Sequence, residues 1–242
     1  LWLDPDGLAA ALAELAPLWE PGTAHGYHPS TWGYLAGEIV KRMAGRSLGT
    51  ILKEDFCGPA GVDFQIGLPE SDDARVADIQ RPKALPELGK LNDYKKVAFL
   101  TKWGSPSRTG SEWRRMEQPA ANGHGTALGV AQLYGIYAHG GALNGKQLIP
   151  EESFMALTRR RTIGQDLVLP FVTEFAAGVM RNNLGIYGPN PETLAHSGWG
   201  GSLAFGDPDR HLSAAYVMNR QSNHLQGDPR ARRLVDALYG CL

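Results

Sequence analysis

Two short stretches hold residue types that can do chemistry together. The first is 196-HSGWGGS-202, where an imidazole, two hydroxyls and three glycines fall close together. A histidine and a hydroxyl at a strand edge can face a carbonyl or carboxylate. Gly198 lets a substrate lie against the backbone, and the next N–H, on Trp199, can donate to an oxyanion. The plain alternative is a glycine-rich hairpin. The second stretch is 21-PGTAHGYHPS-30, which places Tyr27 after a tight turn and just ahead of a helix. A tyrosine there acts as a general base if nearby positive charge lowers its pKa from about 10; otherwise it is an aromatic packed on that helix.

Other patterns point away from chemistry. In 122-NGHGTALG-129 the glycines read G-x-G-x-x-x-G, and 117-EQPAA-121 before them is no strand, so the context of a phosphate-binding loop is missing. His25 and His28 are three apart and His124 and His139 lie elsewhere, with no third ligand at a recognisable spacing. No metal and no cofactor are expected. The formal net charge is −1, which gives no basic field to draw nucleic acid. The one basic cluster, 159-RRR-161, sits where a helix C-terminus favours positive charge. No window approaches eighteen uninterrupted apolar residues, so no membrane span is expected. Cys57 and Cys241 make no disulfide framework, and the opening LWLDPDGLAAALAELAPLW is acidic where a secretory signal is basic. These features set a cytoplasmic expectation.

The elements that must carry the two stretches can be read from period and punctuation. Helices are expected over 6–18, with Asp6 as N-cap and Leu8, Leu12 and Leu15 on one face, and after Ser30, with Leu35, Ile39, Val40 and Met43 buried. Ser47 caps a third helix through about Phe56. Residues 67–122 break every period and read as a long surface excursion. Helical pattern returns over 125–141 and 150–161. Then 173–181, 202–206 and 212–220 read as strands, with turns at 185–192 and 206–210. A last helix starts at Asp228-Pro229, with Leu234, Val235 and Leu238 as its stripe. Helices, then an antiparallel meander, then a terminal helix make an α+β protein. The expected division is a mainly helical part, 1–164, and a sheet with its final helix, 165–242.

In collinear order, PGT-x-x-x-Tyr27 precedes the G-x-L-x-G helix 33-GYLAG-37, and H-S-G at 196–198 stands at the edge of a late strand. Between and beyond them come 64-FQIGLPE-70, 121-ANGHGTALGVAQLYG-135, 140-GGALNGKQLI-149, 207-DPD-209 and 216-YVMNR-220. In these motifs the chain resembles the serine β-lactamase and penicillin-binding-protein superfamily, and within it the class C-like and esterase (family VIII-type) branch. The resemblance implies a two-lobed fold, an antiparallel sheet flanked by helices plus a mainly helical lobe. It implies a small ester or amide substrate and an acyl-enzyme on the serine of an S-x-x-K motif. It makes Tyr27 the motif tyrosine that shares the general-base work. It puts His196-Ser197-Gly198 in place of the K-T/S-G triplet: His196 orients the tyrosine or binds substrate, Ser197 hydrogen-bonds substrate, and Trp199 N–H is an oxyanion donor. Trp103 and Trp113, in the 67–122 excursion, are placed to meet an acyl group or simply to pack. Two departures, Tyr27-His28-Pro29 for Y-x-N or Y-x-S and His196 for the triplet lysine, favour an esterase over a β-lactamase.

The nucleophile itself is not found. None of the eleven serines has a lysine three residues on, and Ser202, in Gly200-Gly201-Ser202-Leu203-Ala204, makes no G-x-S-x-G elbow. The resemblance places S-x-x-K well upstream of the tyrosine, where only 26 residues stand here. The expectation is the larger, C-terminal part of a serine hydrolase, without its nucleophile and opening strands and inactive on its own. Two alternatives stay open: a subunit completed by a partner chain, and a catalytically dead binding protein.

Overall fold

The computed structural model describes residues 3–101 and 110–242. Trp103 therefore lies outside the described residues. The chain forms two compact units. One is built from the chain up to Asp78, from Lys90–Gly125 and from Asp166–Leu169; the other from Ile79–Gly89, Thr126–Gln165 and Pro170–Leu242.

In the first unit, α1 spans Pro5–Ala13, α2 Trp32–Ala44 and α3 Leu48–Ile51. The cap of α1 is Asp4, whose Oδ1 accepts from the Gly7 N–H at 2.9 Å. Pro5 takes the first helical position, where its missing N–H costs nothing. Asp6, expected as the cap, instead pairs with Lys41 of α2 at 2.7 Å. The expected stripe of α2 is corrected as well: Gly33 and Tyr34 are buried, while Ile39 and Met43 are 59% and 83% exposed. The helix is anchored through its N-terminal end, where Gln118 Nε2 donates to the Ser30 carbonyl. Ser47 caps α3 as expected, accepting from the Thr50 N–H at 3.1 Å. Its own hydroxyl donates to Glu117 Oε1 at 2.6 Å. Strands β1 (Phe64–Ile66) and β2 (Gly123–Gly125) pair antiparallel.

The 67–122 excursion is more integrated than a surface loop. Leu68, Leu88, Phe99, Gln118 and Asn122 are buried. Asn122 Nδ2 donates to the carbonyls of Trp113 (2.9 Å) and Met116 (2.6 Å), while its Oδ1 accepts from the Gln118 N–H at 3.0 Å. A buried amide with its hydrogen bonds used gives an irregular segment a fixed shape without a regular period.

The second unit contains α4 (Ala127–Ala138) and α5 (Glu151–Thr158). Its sheet is β3 (Thr162–Gln165), β4 (Val172–Phe175), β5 (Met180–Arg181), β6 (Leu194–Ser197), β7 (Leu203–Asp207) and β8 (Leu212–Tyr216). The strands stand side by side in chain order and every pair is antiparallel. The expected strand 173–181 is two strands, β4 and β5, with a tight turn between them. The closing helix is α6, Pro229–Tyr239.

Side chains alternate across the sheet. Ala195, Leu203 and Phe205 point to one face and pack with Ala231 and Val235 of α6 and with Tyr187. Leu194 points to the other, with Ala176, Val179 and the α4 residues Tyr134 and Tyr137. The buried positions of α6 recur four apart, as a helix facing a core requires. Leu234, expected in that stripe, falls off it and is 55% exposed. Helices α4 and α5 thus belong to the compact unit of the sheet, whereas a division at 164 groups them with the earlier helices. The sheet needs α4 as one of its two covering layers. Among the described residues, no helix is long and apolar enough to cross a membrane.

Candidate active site

Tyr27 sits in the irregular segment between α1 and α2 and is held through its backbone. Its N–H donates to Asp166 Oδ1 at 2.9 Å, across 139 residues of chain. The same oxygen accepts from the N–H groups of Val168 and Leu169, both at 2.8 Å. Leu167 N–H donates to the His25 carbonyl at 3.1 Å, and Asn92 Nδ2 to the Leu167 carbonyl at 2.9 Å. The four residues Asp166–Leu169 thus leave the sheet after β3 and act as a brace for the tyrosine segment. Asp166 is 2% exposed. A buried carboxylate is tolerable when backbone donors are aimed at it, and here they are.

The electrostatics at Tyr27 reverse the expectation of a lowered pKa. Burial, reinforced by the negative charge of Asp166, pushes the phenol up to about 12. Neither Asp166 nor Asn92 was singled out by sequence. Their role depends on pairing across the whole chain, and no local spacing signals it.

His196, Ser197, Gly198 and Trp199 come together in the second unit, at the end of β6 and in the turn to β7. Alternation places His196 on the Leu194 face and Ser197 on the Ala195 face, so the two side chains leave opposite sides of the sheet. His196 Nδ1 lies 2.8 Å from the Ser197 carbonyl. A carbonyl only accepts, so Nδ1 carries the proton and the neutral ring is the Nδ1–H tautomer. Burial lowers the His196 pKa, only partly offset by that hydrogen bond, and the ring is neutral at pH 7.

Ser197 is placed differently from the expected substrate donor. It is buried, and its Oγ lies 2.7 Å from the Tyr187 hydroxyl, inside the core under α6. That bond ties its hydroxyl into the core. Ser197→Ala is expected to cost about 1 kcal/mol in urea unfolding, the usual worth of one such bond.

Gly198 N–H donates to the Ser202 carbonyl at 2.9 Å, which closes the hairpin. A Cβ on Gly198 would lie 2.4 Å from Ser202 Oγ, so a side chain there would have to turn that hydroxyl away. No cluster of three or more His, Cys, Asp or Glu among the described residues is placed to hold a metal ion.

With this geometry in hand, known proteins give a consistent match. The family model described as Beta-lactamase matches residues 2–239. A penicillin-binding protein homolog from Caulobacter crescentus is 52% identical, with a TM-score of 0.95, covering 100% of this chain and 65% of its own. A family VIII carboxylesterase is 37% identical, with a TM-score of 0.89 and the same coverage. The curated Esterase/beta-lactamase LipL of Mycobacterium tuberculosis (strain ATCC 25618 / H37Rv) is 28% identical over 208 residues, 80% of this chain and 48% of that protein. The chain thus spans about half the length of that relative and 65% of the two solved ones. The fold is β-lactamase-like, with mixed helices and an antiparallel sheet. On the match over residues 2–239, the chain belongs to the β-lactamase family of hydrolases related to esterases and penicillin-binding proteins.

Proposed function

We propose that these residues supply the tyrosine and strand-edge portion of a serine acyl hydrolase of esterase type, which cleaves a small ester or amide through an acyl-enzyme. Tyr27 moves the proton, His196 binds the substrate, and Trp199 N–H donates to the oxyanion. Gly198 keeps the backbone approachable, and Ser197 holds the triplet through Tyr187. The acylated serine is supplied from outside these 242 residues, because none of the eleven serines here carries the S-x-x-K spacing.

The observation that carries the esterase reading is His196. Burial keeps its imidazole neutral at pH 7, so the site lacks the fixed cation that a triplet lysine brings. The 37% identity to a family VIII carboxylesterase supports the same assignment. A tyrosine at about 12 is a poor base as it stands. It needs a cation beside it, and the motif lysine of the nucleophile segment is the group the family resemblance provides.

The test is turnover by the full-length protein of p-nitrophenyl butyrate against a chromogenic cephalosporin. Ester turnover with little lactam turnover is expected, and a preference for the lactam would overturn the reading. A second reading, a binding protein without acyl transfer, rests on the same serine survey. It gains if the full-length protein also carries no S-x-x-K and turns over neither substrate.

A further inference from the structure

The hairpin loop 198–202 rests on the start of α6, and the contact goes beyond what capping that helix requires. Asp228 caps α6 with one oxygen: Oδ1 accepts from the Arg230 N–H at 2.8 Å. Oδ1 also takes Arg230 Nε at 3.1 Å. Oδ2 is used elsewhere, by Ser222 Oγ at 2.6 Å and Arg230 Nη2 at 2.7 Å. Asp228 is 3% exposed, a costly place for a carboxylate whose cap function needs only one acceptor atom. Both partners of Oδ2 belong to residues that hold one atom of the loop. The Gly200 carbonyl accepts from the Ser222 N–H at 2.8 Å and from Arg230 Nη2 at 3.2 Å. The Gly200 N–H donates to the His224 carbonyl at 3.1 Å. Arg230 is itself fixed, donating from Nη1 to the Arg220 carbonyl at 2.8 Å.

Gly201 carries the link onward. Its φ is +108°, and a Cβ there would lie 2.1 Å from Asp228 Oδ2, so only glycine lets the backbone rest on that carboxylate. The Gly201 N–H donates to the Gly198 carbonyl at 3.1 Å. The peptide joining Gly198 to Trp199 is planar and trans, so fixing its carbonyl fixes its N–H, which points the opposite way. That N–H belongs to Trp199.

We infer that Asp228 and Arg230 are positioning residues that aim the Trp199 N–H through Gly200 and Gly201. The inference rests on the proposed role of that N–H as oxyanion donor. It identifies the N-terminus of α6 as the support of the donor, whereas the sequence offered it only as a helix start.

The test is made on the full-length protein with Arg230→Gln and with Asp228→Asn, which keeps the cap oxygen. Ester hydrolysis and backbone amide exchange are both read. Each variant is expected to lower kcat about tenfold with KM little changed, less than the roughly 10²–10³-fold that follows outright loss of an oxyanion donor. Exchange should quicken at residues 199–201 and stay slow in β6 and β7. An active wild type whose kcat is unmoved in both variants overturns the inference, as does unchanged exchange in the loop. A wild type with no ester turnover overturns the functional reading instead, and the exchange data then decide whether the clamp shapes the loop.

Discussion

Tyr27→Phe in the full-length protein is expected to lower kcat for ester hydrolysis by about 10²–10⁴-fold, the usual worth of a general acid–base group. The substitution is clean because Asp166 holds the residue through its main-chain N–H, which phenylalanine keeps. Folding stability near pH 7 should stay within about 1 kcal/mol of wild type. A second signature appears in alkali in the 242-residue chain itself, where no motif lysine stands beside the phenol. The folded phenol sits at about 12, above the roughly 10 of an unfolded chain. The folded state therefore holds this proton more tightly. The resulting stabilisation is complete below about pH 10 and is lost as the pH rises from about 10 to 12. Urea unfolding across that window should fall less steeply in the Phe variant than in wild type. A Phe variant with undiminished kcat would remove Tyr27 from the mechanism.

Asp166→Ala is expected to be the most damaging change to the brace under Tyr27. It takes away the acceptor for the N–H groups of Tyr27, Val168 and Leu169. At about 1 kcal/mol for each bond, roughly 3 kcal/mol of stability should go, read as a lower urea midpoint. Asp166→Asn separates geometry from charge. Its side-chain oxygen can still accept the three N–H groups, so most of the stability should return. The negative charge that opposes the tyrosinate is gone, so the Tyr27 phenol should titrate lower than in wild type, measured by 13C NMR of labelled tyrosine against Tyr27→Phe. Equal damage from Ala and Asn would mean that the carboxylate acts by charge alone and that the three bonds contribute little.

The parts of the fold legible in the sequence are those with local causes. Ser47 and Asp228-Pro229 mark helix starts because a cap and a first-turn proline act within one turn. The strand-edge stretch 196–202 is legible for the same reason, since its glycines answer to the turn between β6 and β7. What failed to show was set by distant partners. Ile39 and Met43 carry the right period for burial, yet α2 is anchored at its other end. Asp6 looks like a cap but finds Lys41. The Ser197 hydroxyl reads as a substrate donor in the sequence, but alternation along β6 turns it onto Tyr187. Asp166 and Arg230 lie 139 and 31 residues from the positions they support, Tyr27 and Trp199, and no short-range pattern encodes such a link.

The central claim is that this chain carries the tyrosine and oxyanion groups of a serine hydrolase while the nucleophile lies beyond it. Intact mass spectrometry of the native protein, before and after a serine-directed phosphonate, followed by peptide mapping, tests it most directly. The account predicts one adduct, on a serine of an S-x-x-K motif outside the 242 residues, and none on the isolated 242-residue chain. An adduct on any of the eleven serines within it would contradict the account.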